Sequence, residues 1–136
     1  MLHICRLALV LVAFIFLTGC TGGDITVRGE LHRGQQLYKP AEGEQVMITF
    51  QELVDGKATA NMFPTRLASD GTFQIEGPDN KGIPAGTYRV SIASYPEILE
   101  SGVVATDKFK GVYENEKSPL KYDISPSQQF IKIEIE

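Results

Sequence analysis

With 136 residues, 43% of them hydrophobic, the chain carries enough apolar material for one small core and not for two domains. Its 13 basic and 17 acidic residues leave a formal net charge of −4, and the basic residues are scattered with no stripe or run. That distribution argues against a surface built for nucleic acid or for anionic lipid headgroups.

The first nineteen residues read as a targeting signal. Arg6 supplies a positive start, and Leu7 to Leu17 (LALVLVAFIFL) is an uninterrupted apolar run, of the length of a signal-peptide core and shorter than the ~20 residues that span a bilayer. The run ends in Leu17-Thr18-Gly19-Cys20, which resembles the lipobox of bacterial lipoproteins, where small residues precede a cysteine that becomes the acylated first residue after cleavage. The resemblance implies a lipoprotein signal peptide over 1–19, a short lipidated tether over 20–24 and a domain over 25–136. Cys5 lies in the leader, so the exported chain would hold one cysteine and no internal disulfide. A lipid on Cys20 also removes the liability of a free thiol in an oxidising compartment. Membrane contact is thus expected through the lipid alone, in the cell envelope. Thr21 is not the aspartate that resembles an inner-membrane retention signal, so the outer membrane is preferred.

From Ile25 onward the pattern has period two, the signature of half-buried strands. Val46, Ile48 and Phe50 share one face of VMITF, as do Phe73 and Ile75 of TFQI and Tyr88, Val90 and Ile92 of YRVSI. Near the C-terminus, Leu120, Tyr122 and Ile124 alternate with Lys121 and Asp123, and Ile131, Ile133 and Ile135 alternate with Lys132, Glu134 and Glu136. The last strand is expected at an edge, where it either pairs between subunits or is kept from doing so by Lys132 and Glu134. Asp-Gly pairs in VDGK (Val54 to Lys57) and SDGT (Ser69 to Thr72) predict two hairpin turns. Glu76 to Gly86 is too rich in glycine and proline for regular structure, and the only helical turn expected is a short one within Pro96 to Gly102. Six or seven strands with turn signals at intervals of about ten residues predict an all-β sandwich.

VRGEL (Val27 to Leu31), VMITF, LASDGTFQI (Leu67 to Ile75) and IPAGTYRVSI (Ile83 to Ile92) follow one another in a pattern that resembles the carboxypeptidase regulatory-like, or transthyretin-like, β-sandwich domains. Val112 to Ile124 (VYENEKSPLKYDI), with Tyr113 and Ser118-Pro119-Leu120, is similar to the ending of small bacterial lipoproteins that carry such a domain. The resemblance implies a seven-stranded antiparallel sandwich, immunoglobulin-like or prealbumin-like, and speaks for architecture more than activity. Two segments depart from the pattern. DKFKG lacks a proline before Tyr113, and Leu31 to Gln45 is longer than the usual first hairpin, which leaves the conformation of loops 31–45 and 96–118 open.

Chemistry-bearing residues are few. His32 is the only histidine beyond the leader, which argues against a multi-histidine metal site and against the purine-ring hydrolases that resemble this fold. Its expected place is solvent-facing. Pro78 to Gly82 (PDNKG) lacks the ligand spacing of a calcium loop and reads as a turn. Glu114, Glu116 and Asp123, interrupted by Lys117 and Lys121, read as a solvated edge. Tyr38, Tyr95 and Tyr113 fall in expected loops, where aromatics either contact a ligand or partner or, equally well, pack over the open ends of the core. No catalytic residue, metal ligand or cofactor is expected. The function expected is a lipid-anchored, non-catalytic envelope module for structure or protein interaction. The alternative is an envelope polysaccharide-binding module, with calcium assistance as a variant.

Overall fold

The computed structural model describes residues 24–96 and 106–136. The signal segment with Leu17, Thr18, Gly19 and Cys20 lies outside the described residues, as does most of the turn expected after Pro96. Eight strands are described: β1 (Val27–Arg33), β2 (Gln36–Leu37), β3 (Glu44–Val54), β4 (Lys57–Arg66), β5 (Thr72–Ile75), β6 (Gly86–Pro96), β7 (Lys121–Ile124) and β8 (Phe130–Ile135). The two-residue β2 falls in the long first connection, which the sequence pattern left without structure.

Two four-stranded sheets result. In sheet one, β1 pairs antiparallel with β5 along Val27–Glu30 and with β2 at His32–Arg33, and parallel with β8 along Arg28–Arg33. Sheet two is wholly antiparallel in the order β4-β3-β6-β7. The parallel pair departs from the all-antiparallel expectation. β7 belongs to sheet two, so the chain crosses between sheets before β8 and meets β1 running in the same direction.

Period two places the core. Val46, Ile48, Phe50, Tyr88, Val90 and Ile92 of sheet two are buried against Val27, Leu31, Phe73, Ile75, Ile131 and Ile133 of sheet one. Phe50 joins the layers, its ring 6.1 Å from both Phe73 and Tyr88 in tilted contacts. The Tyr88 hydroxyl, inside this core, donates to the Pro84 carbonyl at 2.7 Å. Burial, with smaller effects from the Glu52 and Asp24 carboxylates, pushes its pKa up to about 12.

The two Asp-Gly turns behave differently. Asp55 and Gly56, at φ 51° and 75°, close the β3–β4 hairpin with the double left-handed geometry that matches strand twist. At Ser69 to Thr72 the expectation of a hairpin fails, because β4 lies in sheet two and β5 in sheet one. The tight turn is real, with Gly71 N–H donating to the Ala68 carbonyl and Asp70 accepting from the Thr72 N–H and hydroxyl, but it carries the chain across the sandwich. An Asp-Gly turn is a local fact, and which sheet its second arm joins depends on non-local pairing.

Both flanks of the two sheets near the C-terminus are closed, by backbone hydrogen bonds and by side chains. The segment 106–120 runs beside β6: Lys108 N–H donates to the Ser94 carbonyl, Ile92 N–H to the Tyr113 carbonyl and Val90 N–H to the Leu120 carbonyl. Asp107, buried, accepts from the backbone N–H groups of Ser94, Phe109 and Gly111 at 2.8, 3.1 and 2.9 Å. At β8, the Tyr113 hydroxyl accepts from Glu136 N–H at 2.9 Å, and on the outer face Lys132 pairs with Glu134 at 2.7 Å. These contacts blunt edges that would otherwise offer unpaired backbone groups.

Candidate functional site

Two polar constellations stand out, one closing an end of the sandwich and one on the outer face of sheet two. The first is centred on Glu44, the first residue of β3. Its side chain is 8% exposed, and Oε1 accepts from the Tyr38 hydroxyl and from Ser94 Oγ, both at 2.5 Å. Oε2 accepts from Ala41 N–H at 2.8 Å, and Lys108 Nζ lies 3.3 Å from both oxygens. Burial alone would raise the Glu44 pKa, but the hydrogen bonds from Ser94, Tyr38, Ala41 and Lys108 outweigh it and hold the carboxyl down at about 2. Lys108 also donates to the Tyr38 oxygen at 3.0 Å and lies 5.5 Å from the centre of its ring. Burial and the Glu44 carboxylate together raise the Tyr38 pKa against the opposing Lys108 charge.

A serine, a lysine and a carboxylate invite a catalytic reading, which the geometry does not favour. Ser94 is buried and directs its hydroxyl at Glu44, so its oxygen is offered to no approaching carbonyl. What the cluster does is join the 38–44 connection, the end of β6 and the 106–111 segment. Tyr38 continues it into an aromatic row, 5.8 Å from Phe109, which is in turn 6.1 Å from Tyr113.

The second constellation follows from strand alternation. With Val46, Ile48 and Phe50 inward, Met47, Thr49 and Gln51 of β3 face out, and their cross-strand partners on β6 are Ala93, Ser91 and Arg89. Tyr95 extends this face beside Gln45. Residues 113–117 rise along one side of it, and the result is a groove of about 560 Å³ floored by Met47, Thr49, Gln51 and Ser91 and walled by Tyr95 and Asn115. Its wall charges are Glu114 and Lys117, paired at 3.1 Å, and the exposed Glu116.

Of the three tyrosines singled out from the sequence, the fold brings Tyr95 and Tyr113 to this groove and leaves Tyr38 in the Glu44 cluster. Tyr95 belongs to β6, not to a loop, and is 38% exposed. Tyr113 is 6% exposed and holds the C-terminal strand through its hydroxyl, so of the two readings its ring follows packing and is part of the core, not an exposed contact. His32 is corrected as well. Only 13% of its side chain is exposed, and Nε2 lies 2.9 Å from Glu30 Oε2, because β2 and β8 flank it on both sides. Pro78 to Asn80 forms a single 3-10 turn, with Asp79 and Asn80 in left-handed backbone. Among the described residues no group of three or more His, Cys, Asp or Glu side chains converges as a metal site would require.

Sequence reasoning passed over Glu44, Ser94 and Asp107 in the first constellation and the outward residues of β3 and β6 in the second. The second set was legible in principle, as the other half of the same alternation. Comparison of the chain with protein-family models, with curated proteins and with solved structures gives no match.

Proposed function

We propose that the protein is a non-catalytic module held at the cell envelope by a lipid on Cys20, and that it works by binding a partner through the outer face of sheet two. The anchor reading rests on the apolar run and on Leu17-Thr18-Gly19-Cys20. The carboxypeptidase regulatory-like or transthyretin-like reading of 25–136 rests on the motifs VRGEL, VMITF, LASDGTFQI and IPAGTYRVSI, and two facing sheets are compatible with it. With residues 1–19 removed, Ile25 would follow the lipidated cysteine after only the four residues Thr21 to Asp24, and the domain would stand close to the membrane surface.

The observation that carries the binding role is the groove itself. A solvated sheet face needs no concavity, yet this one has a partly exposed tyrosine and neutral polar side chains gathered along a trough. That lining favours a second reading over a protein partner. An aromatic ring beside Thr49, Gln51, Ser91 and Asn115 suits the faces and hydroxyls of sugar rings, so the partner is an envelope polysaccharide. Intact mass of protein extracted from the membrane fraction tests the anchor: a chain beginning at residue 20 with added acyl mass is expected, and the Cys20→Ser variant is expected to leave the membrane. A full-length, unacylated mass would refute it. Tyr95→Ala is expected to abolish saturable binding to isolated envelope polysaccharide, and retention of wild-type binding would refute the role given to the groove.

A further inference from the structure

Beyond Gln51 and Ser91, the outer face of sheet two carries two cations that make no ion pair among the described residues. Arg89, on the outer face of β6, sits directly opposite Gln51 of β3 on one side and Lys121 of β7 on the other. Its Nε is buried and has no hydrogen-bond partner, and among the described residues no carboxylate lies within 4.0 Å of either Arg89 or Lys121. The two acids nearest by register lie beyond ion-pair distance and hydrogen-bond to neutral donors. Asp123, diagonal to Arg89, accepts the Thr87 hydroxyl at 2.6 Å, and Glu52, next to Gln51, accepts from Thr59 Oγ1 and Asn61 Nδ2 at 3.0 and 2.7 Å.

Like charges directly opposite across a strand pair destabilise a sheet, and a buried N–H without a partner costs free energy as well. An oxyanion placed between the two side chains relieves the like-charge repulsion, with the terminal guanidinium N–H groups supplying donors and the ammonium a point charge, while the buried Nε lies out of a ligand's reach. Gln51 and Ser91, the neighbours of Arg89 across the sheet and along β6, are groove residues, so the two cations flank the trough at its Gln51 end without lining it. Tyr95 lies six residues farther along β6, about 20 Å away at strand spacing, and the uncompensated Glu116 stands on the groove wall. The cations thus stand at the Arg89 end of this face and the aromatic Tyr95 at the other, with Glu116 and the Glu114–Lys117 pair on the groove wall.

We propose that Arg89 and Lys121 form an anion subsite, and that the ligand of the groove is an acidic saccharide whose carboxylate or phosphate docks on them while a neutral sugar ring lies against Tyr95. This inference rests on the polysaccharide reading of the groove. The test uses full-length protein purified in detergent and titrated with three oligosaccharides of equal length: an oligogalacturonate, a phosphorylated glucan and a neutral glucan. Preference for either acidic ligand over the neutral one is expected to be about tenfold or more and to shrink as salt rises. The preferred acidic ligand identifies the anion as carboxylate or phosphate.

Arg89→Gln is expected to bring that preference close to one with the unfolding midpoint unchanged or raised. Lys121→Glu, at an exposed position, is expected to invert it by supplying Arg89 with an internal partner. Equal binding of acidic and neutral ligands by the wild type, or a preference that survives both variants, overturns the anion subsite while leaving the groove reading in place. No binding of any of the three, with an envelope protein crosslinked through the groove instead, overturns both.

Discussion

Replacing Glu44 with glutamine removes the charge on which three parts of the chain converge. The carboxylate satisfies the Tyr38 and Ser94 hydroxyls, the Ala41 N–H and the Lys108 ammonium together, and its pKa falls from 4.5 to about 2 as a result. At about 1.4 kcal/mol per tenfold change in proton affinity, that drop corresponds to about 3 kcal/mol of stability. Because the folded-state pKa is depressed, the contribution is complete above pH 4.5 and is lost as the pH falls toward 2. A glutamine keeps one acceptor oxygen but turns a donor toward groups that are themselves donors, so most of the contribution is expected to vanish. Urea denaturation of wild type and Glu44→Gln, followed at intervals from pH 7 to pH 2.5, measures it. The variant is expected to be about 2–3 kcal/mol less stable at neutral pH, with the gap closing steadily below pH 4.5. A constant gap across that range, or one below about 0.5 kcal/mol at pH 7, would refute the assignment of the stabilisation to the ionised carboxylate.

Asp107→Ala leaves the N–H groups of Ser94, Phe109 and Gly111 without their acceptor, and a loss of about 3 kcal/mol or more is expected in the same urea assay; a near-neutral result would mean that water replaces the carboxylate without cost. Gly29→Ala places a methyl group against the Ile131 carbonyl and the Phe73 ring, where β1, β5 and β8 meet. Soluble expression or the thermal midpoint is expected to fall sharply, consistent with overpacking costs of about 1–3 kcal/mol or more. Tyr113→Phe keeps the aromatic row and removes only the acceptor for Glu136 N–H, so a loss of about 1 kcal/mol is expected, with faster amide exchange confined to the end of β8.

The sequence by itself determined which side of β3, β5, β6, β7 and β8 is wet. Alternation reports side-chain direction residue by residue, and Val46, Ile48, Phe50, Tyr88, Val90, Ile92, Ile131, Ile133 and Ile135 are all buried as it requires. It also determined the Asp55–Gly56 hairpin, because positive φ at both residues is a property of the turn alone. Tertiary structure decided what those strands pair with. The Ser69–Thr72 turn crosses between sheets and β8 runs parallel to β1, and neither outcome is encoded in a period-two pattern that looks the same for any partner. The same limit hid the polar sites. Glu44, Ser94 and Lys108 are separated by 50 and 64 positions in the chain, and Gln51, Arg89 and Lys121 share a face only because β3, β6 and β7 are neighbours in one sheet. Tyr113 shows the reverse case: its local sequence reads as loop, and the loop lies against the core, so an aromatic ring that local pattern left between exposed contact and packing is enclosed by residues distant in sequence.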